Sequence, residues 1–514
     1  MSARWPAAIG LACLCSTAFT AFAQEPQPSA PPGEGTPTPA PGVPPVPAGS
    51  AAERQAWLRA RLDELAGTPA LKGTRVGVAV MDVESGRVLY ARSEKITYNP
   101  ASNAKIVTTA AALALLGPEY RFKTALYADE MRGSEVVGNL YIKGFGDPSF
   151  TTEDLWKLVS DLYALGVRKV SGDIVVDDSF FDNQRLPPAY EQKQDDASWH
   201  APTGAASLNY NAISVTVTPA AREGEPARVA VEPQSGYVLI ENHARTSGAG
   251  QPALNVSAAA RGEQTVVTVV GKILRGAEPR TFYKRIIHPD LYLAVTLRDL
   301  LVRRGIKIAA KVPHPGAVPP AARLLVAHSS EPLSVLIRDV NKRSNNFMAE
   351  QILKTVGAET FGRPGSWQKG LSAINRFLEE MGVARGGYQM QNGSGLYDAD
   401  RLSPQALVQV LRATYRDFRL GADFVASLAV AGADGTVVSR MEGSAAERYV
   451  RAKTGTLDGV SCLSGFAGAA GRPPLAFAIL MNGLPAAAHA EARRVQDAIA
   501  ELLVSYLEAG AGGQ

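Results

Sequence analysis

The two ends of the chain carry strand patterns that complement each other. Near the start, residues 76–81 and 87–90 are apolar runs around Glu84-Ser85-Gly86, a β-hairpin signature. Near the end, 449–456, 461–467 and 474–481 read as three strands, followed by a helix over 486–507. A helix over 51–65 shows Trp57, Leu58, Leu62 and Leu65 on one face. The hairpin and the three late strands are expected to form one five-stranded antiparallel sheet, covered by the first and last helices. The fold class is then α/β (α+β), and ends that meet in one domain leave the middle as an insertion.

That middle changes texture twice. From Ser102 an Ala- and Leu-rich run continues to Leu116 and stops at Gly117-Pro118, as a buried helix does. Strands over 139–144 and 173–177 flank a helix over 155–164, a β-α-β unit, and 291–312 resembles 155–176. Short strands alternate at 213–217, 228–231, 237–240, 265–270 and 280–287. After Glu331 long helices return, over 333–340 and 346–356. The expected organisation is an outer domain over 51–128 and 331–514. An inserted α/β domain over 129–205 and 288–330 interrupts it, with a β-rich domain over 206–287 nested inside.

At 514 residues the chain exceeds the ~250–300 at which a single core stops growing, consistent with several domains. With 46% hydrophobic and 20% charged residues it has ample apolar surface to bury, which excludes wholesale disorder. A formal charge of +4 without a long Lys/Arg run argues against a nucleic-acid binder. Residues 1–23 read as an export signal: Arg4, an uncharged apolar run, then Ala21-Phe22-Ala23. A lipoprotein reading through Cys13 is a poor match to Gly10-Leu11-Ala12. Residues 24–50, dominated by Pro, read as a tether. The expected location is periplasmic or otherwise extracytoplasmic, and no other stretch approaches the ~18 apolar residues of a spanning helix. Cys13 and Cys15 fall within the signal, so Cys462 alone remains and no internal disulfide is expected.

Three motifs carry the chemistry: Ser102-Asn103-Ala104-Lys105, Ser344-Asn345-Asn346 and Lys453-Thr454-Gly455. A Ser hydroxyl is a weak nucleophile and must lose its proton to a neighbouring base as it attacks. Lys105, at i+3 on a helix, lies on the face of Ser102. A lysine in water titrates at about 10.4, so burial and a second cation such as Lys453 are what would make it a usable base. Decoys occur: Ser366-Trp367-Gln368-Lys369 also fits S-x-x-K, and Ser207-Leu208-Asn209 also fits S-x-N. Context separates them, since Ser102 opens an apolar helix after a hairpin while Ser366 follows the loop Arg363-Pro364-Gly365. The plain alternative for an S-x-x-K is a helix-capping Ser with a solvated Lys.

In the strand carrying Lys453, Gly455 would let a substrate backbone pair as an added strand, with Lys453 and Thr454 on a terminal carboxylate. The backbone N–H groups of Ser102 and Thr456 would stabilise the oxyanion. The plain reading of the same motif is an edge Lys with a bulge at Gly455. Six histidines without ligand spacing, together with a solitary Cys462, give no support for a metal site. No cofactor is expected, and Gly393-Ser394-Gly395 reads as a Gly-rich turn.

With these motifs stand Gly144-Phe-Gly-Asp-Pro148, Gly172-Asp-Ile-Val-Val-Asp-Asp178, Asn392-Gly-Ser-Gly-Leu396 and Gly432-Ala-Asp-Gly-Thr436. From about Arg75 to Ser505 the chain resembles the low-molecular-mass class C penicillin-binding proteins, the D-alanyl-D-alanine carboxypeptidase/endopeptidase family. The resemblance implies a serine β-lactamase/transpeptidase-like domain, hydrolysis of peptidoglycan stem peptides through an acyl-enzyme on Ser102, and β-lactam antibiotics as covalent inhibitors. It implies removal of terminal D-Ala and cleavage of D-Ala to diaminopimelate cross-links. It also implies that Asp147 helps receive the diaminopimelate side chain. Some relatives carry an Arg where this chain has Asp398, and Arg401 is the cation that could reach back to that place. The competing readings are a serine β-lactamase, against which the long insertion argues, and a wall-binding scaffold, which would need none of the five catalytic residues. Oligomeric state is left open.

Overall fold

The computed structural model describes residues 45–309 and 312–510. The expected export signal, with Cys13 and Cys15, and most of the tether lie outside those residues.

The central sheet runs in the order Ala429–Val430, Val450–Leu457, Val460–Ala469, Arg472–Asn482, Arg75–Asp82, Val88–Arg92, antiparallel throughout. The strand at the start of the fold thus lies beside the last strand, with Val78 opposite Ile479. Side chains alternate across a strand, and Arg472–Asn482 shows it: Leu475, Phe477, Ile479 and Met481 face one core, Ala476, Ala478 and Leu480 the other. On the first face lie Leu58 and Leu62 of helix Ala51–Ala66 and Val495, Ile499 and Leu503 of helix His489–Ala509. Each fully buried large apolar side chain here is worth roughly 1.5–3 kcal/mol of transfer free energy. The sheet has six strands instead of the expected five. The extra one, Ala429–Val430, is two residues long and leaves no alternation to read.

Behind the other face stand two buried helices. Ala104–Leu116 has Ala104 to Leu113 buried on every side and ends where Gly117 turns to φ 88° ahead of Pro118. Asn346–Phe361 starts with the Asn345 side chain accepting from Met348 N–H and is buried from Asn346 to Ala358. The strand alternation and these deeply buried helices make the layered α/β architecture expected from the sequence.

In the middle of the chain, Glu135–Gly144 and Ile174–Asp177 pair in parallel around helix Thr152–Ala164. The same sheet takes in Lys123–Arg132 and Arg323–Ser329, which carry the chain out of and back into the layers around the central sheet. Neither strand is marked by the sequence pattern, because both mix charged and apolar residues irregularly. Four- and three-stranded sheets occupy 212–285. Their Ile213, Val215, Val267 and Val269 share one apolar cluster with Leu140, Ile142 and Leu158 of the α/β part.

Candidate active site

Ser102 sits in a single 3₁₀ turn, Ala101–Asn103, that feeds the buried helix Ala104–Leu116. Lys105 is therefore in the helix's first turn, and its Nζ lies 2.9 Å from Ser102 Oγ. That ammonium is fully buried and also donates to Asn346 Oδ1 at 2.6 Å and to the Ser394 carbonyl at 2.8 Å. Asn346 opens the second buried helix, and its Nδ2 donates to the Trp199 carbonyl at 3.2 Å. Ser344 occupies the turn just before it, at φ 61°. Its Oγ accepts from the fully buried Lys453 Nζ at 2.9 Å, and Lys453 also donates to the Thr454 carbonyl at 2.9 Å. Ser102, Lys105 and Asn346 form one network and Ser344 and Lys453 a second, joined through the Ser344–Asn346 segment.

The Lys453 strand is pressed onto the Ser102 turn. A Cβ on Gly455 would lie 2.6 Å from the Pro100 carbonyl oxygen, so close approach of this turn already accounts for the glycine. Thr454 Oγ1 donates to Thr436 Oγ1 at 2.8 Å, and Thr456 is exposed. Strand Ala429–Val430 covers this edge only opposite Ala452 and Arg451. Among the described residues, no strand pairs with that edge from Lys453 onward.

Two contributors escaped the sequence reading. Gly393-Ser394-Gly395, read as a Gly-rich turn, wraps the segment leading into Ser102: Gly395 is at φ 75°, and a Cβ there would meet the Ala101 carbonyl oxygen. Glu350, on the Asn346 helix, accepts from Gly393 N–H at 3.0 Å, Ser394 N–H at 2.8 Å and Trp367 Nε1 at 2.8 Å. These bonds hold the Ser394 carbonyl toward Lys105. Burial pushes the Glu350 carboxyl up, against those donors. The available signal was an acidic residue between Ala349 and Gln351, four positions after Asn346. Tyr190 adds a hydroxyl 3.1 Å from Ser394 Oγ, and His200 Nδ1 lies 2.9 Å from Tyr397 Oη. Burial pushes the His200 imidazole down to about 4.

Asp147 and Arg401 have partners of their own. Asp147 is buried, with Oδ1 accepting from Ser149 N–H at 2.9 Å and Oγ at 2.7 Å, and Oδ2 3.5 Å from His328 Nε2. Arg401 pairs with Asp398 at 2.8 Å, so the cation expected to reach a substrate is already engaged. Of the decoys, Ser366 caps helix Trp367–Glu380, accepting from Lys369 N–H at 3.2 Å, while Lys369 Nζ donates to surface carbonyls of Gly362 and Pro364. Ser207 donates to the Gly204 carbonyl at 2.7 Å within a buried loop. Among the described residues, no group of three or more His, Cys, Asp or Glu could hold a metal ion, and no helix is long and apolar enough to cross a membrane.

Residues 58–506 match the D-Ala-D-Ala carboxypeptidase 3 (S13) family. The chain belongs to that family. A D-alanyl-D-alanine carboxypeptidase of Actinomadura sp. (strain R39) is 35% identical over 481 residues, covering 90% of this chain and 88% of that protein. A crystal structure of penicillin binding protein 4 from Haemophilus influenzae shares the fold at TM-score 0.73 and 24% identity, over 85% of this chain and 97% of that one. A second crystal structure of that protein, complexed with a β-lactam, matches at TM-score 0.70 and 25% identity, over 86% and 99%. This S13 enzyme is a serine peptidase of the D-Ala-D-Ala carboxypeptidase class, acting through an acyl-enzyme, on the penicillin-binding protein 4 fold.

Proposed function

We propose that Ser102 is the residue acylated, with Lys105 as its base. The carrying observation is the 2.9 Å contact between Ser102 Oγ and a fully buried lysine amine. In its neutral form Lys105 takes the Ser102 proton as Oγ bonds to the carbonyl carbon of the penultimate D-Ala. The N–H groups of Ser102 and Thr456 receive the oxyanion. The C–N bond then breaks, and the proton passes to the departing amine by way of Lys105 or the Ser344–Lys453 pair. Water, giving its proton to the same base, hydrolyses the ester and restores Ser102.

The edge from Lys453 onward takes the substrate backbone as an added strand, with Lys453 and Thr454 on its terminal carboxylate and Gly455 beneath it. The substrates are peptidoglycan stem peptides ending in D-Ala-D-Ala, together with D-Ala-diaminopimelate cross-links, met outside the cytoplasm. β-Lactams acylate the same serine, in keeping with the complex of the H. influenzae relative. Asp147, buried with its Oδ1 held by Ser149, and Arg401, paired with Asp398, are the groups offered to a diaminopimelate side chain, Arg401 by exchanging its Asp398 partner.

A labelled penicillin should label wild-type enzyme at Ser102, as read by peptide mapping, and leave Ser102→Ala unlabelled. Cross-linked muropeptides incubated with wild type should lose D-Ala and separate into monomers. Labelling of Ser366, or full activity in Ser102→Ala, would sink the assignment.

A further inference from the structure

Asn99 lies three residues before Ser102, and each of its polar groups has a partner. Its N–H donates to Asn482 Oδ1 at 2.8 Å and its carbonyl accepts from Asn482 Nδ2 at 3.0 Å. One side-chain amide thus brackets both backbone groups of Asn99. The Asn99 side chain turns forward: Oδ1 accepts from Ala101 N–H at 2.9 Å, while Nδ2 donates to the Tyr397 carbonyl at 3.0 Å and to Asp398 Oδ1 at 3.1 Å. Asp398 is held in turn by Arg401. Both asparagines are buried, at 8% and 3% exposure.

The residue so gripped is unusual. Ala101 stands at φ 45°, a left-handed conformation that residues bearing a Cβ avoid, and it directly precedes the serine. Its backbone fixes the direction in which Ser102 leaves the turn. Left to its own preference Ala101 would relax toward negative φ and swing Ser102 Oγ off Lys105.

We infer that Asn482 and Asn99 are positioning residues for acylation. Asn482, at the end of strand Arg472–Asn482, fixes Asn99, which fixes Ala101 and thereby aims Ser102 Oγ at Lys105. The Asp398–Arg401 pair braces the Asn99 side chain from the other side. This rests on Ser102 being the acylated residue. It also gives Asp398 an inward task at a position that otherwise stands out only as lacking a cation.

The test is stopped-flow acylation of the full chain by a fluorescent penicillin, separating the limiting acylation rate from the pre-covalent dissociation constant. Intact mass gives the fraction of molecules acylated, and thermal melting reports folding. Asn482→Asp keeps size and the acceptor for Asn99 N–H but sets a carboxylate oxygen against the Asn99 carbonyl. The limiting rate should fall at least ~10-fold, with the pre-covalent constant changed less than ~2-fold and every molecule eventually acylated, because misplacement costs attack and not binding. Asp398→Ala, at a partly exposed position, should slow acylation about 3-fold with unchanged melting. A merely structural role would lower melting or the acylable fraction and leave the rate per acylable molecule as in wild type. That result in Asn482→Asp overturns the inference, and if this variant does not fold, a wild-type rate in Asp398→Ala does so. Adducts mapped to a serine other than Ser102 overturn the preceding assignment along with this one, whereas a wild-type rate with the adduct on Ser102 overturns the bracket alone.

Discussion

Asp400 is fully buried behind the Asn392–Leu396 loop, its Oδ1 accepting from the N–H groups of Gln391 at 2.7 Å and Asn392 at 3.3 Å. Burial pushes its carboxyl up to about 7, and the nearby Glu350 charge adds to the rise while these donors and Lys105 oppose it. The folded protein therefore keeps a proton that the unfolded chain releases near pH 4. Its stabilising contribution is complete below the ordinary carboxylate range and is lost as pH rises through about 7. Asp400→Asn cannot ionise and preserves the acceptor for both N–H groups. Its melting temperature relative to wild type should climb between about pH 4 and pH 7 and level off above; a pH-independent gap would contradict the raised carboxyl. The contact of Ser102 with Lys105 was legible because their spacing on a helix dictates it. Ser366 and Lys369 share that spacing but form an ordinary helix cap, and only their surroundings reveal it. Glu350 and Ser394 were illegible as contributors because they act through backbone N–H and carbonyl groups, which no residue type advertises.

The strand carrying Lys453 and the turn carrying Ser102 meet so closely that Gly455 is a contact between elements. In Gly455→Ala the new methyl would lie 2.6 Å from the Pro100 carbonyl and 2.7 Å from Asn103 Nδ2. Overpacking of this kind costs about 1–3 kcal/mol, and here the element able to yield is the Ser102 turn. Urea unfolding should show that loss, and penicillin labelling should slow by ~10-fold or more, since displaced reactive groups are costly. Labelling at the wild-type rate would show that the strand gives way instead. Long elements were readable from pattern: the alternation of Arg472–Asn482 and the Ala- and Leu-rich run of Ala104–Leu116 each announce their type. Short or mixed strands such as Ala429–Val430 and Lys123–Arg132 exist because neighbours pair with them, and their own residues say little.

At the scale of the whole molecule, an ion pair fastens the segment around Asp182 to the Asn346 helix. Lys354, on the Asn346 helix, has no exposed surface and donates to Asp182 Oδ1 at 2.7 Å and the Gln184 carbonyl at 2.9 Å, with the Trp367 ring 4.2 Å away. Burial holds its amine below the usual lysine range even beside that carboxylate. The segment so tied continues to Trp199, whose carbonyl receives Asn346. Asp182→Ala strands a buried cation and should cost about 3–5 kcal/mol in chemical denaturation, whereas Lys354→Met leaves a carboxylate that water can reach and should cost less. The reverse order would mean that the lysine stem, and not its charge, fastens the segment. The pairing of the first strand with the last, Val78 against Ile479, also has a consequence in time. A ribosome has made nearly the entire polypeptide before Arg75–Asp82 can find its neighbour, and such distant pairings close slowly. Asn482, which grips the segment leading into Ser102, is among the last residues of that sheet to emerge. A growing chain can carry Ser102 and Lys105 for most of its synthesis while Lys453 and Asn482 are still unmade, so the order of manufacture itself delays assembly of the site until the chain is nearly finished.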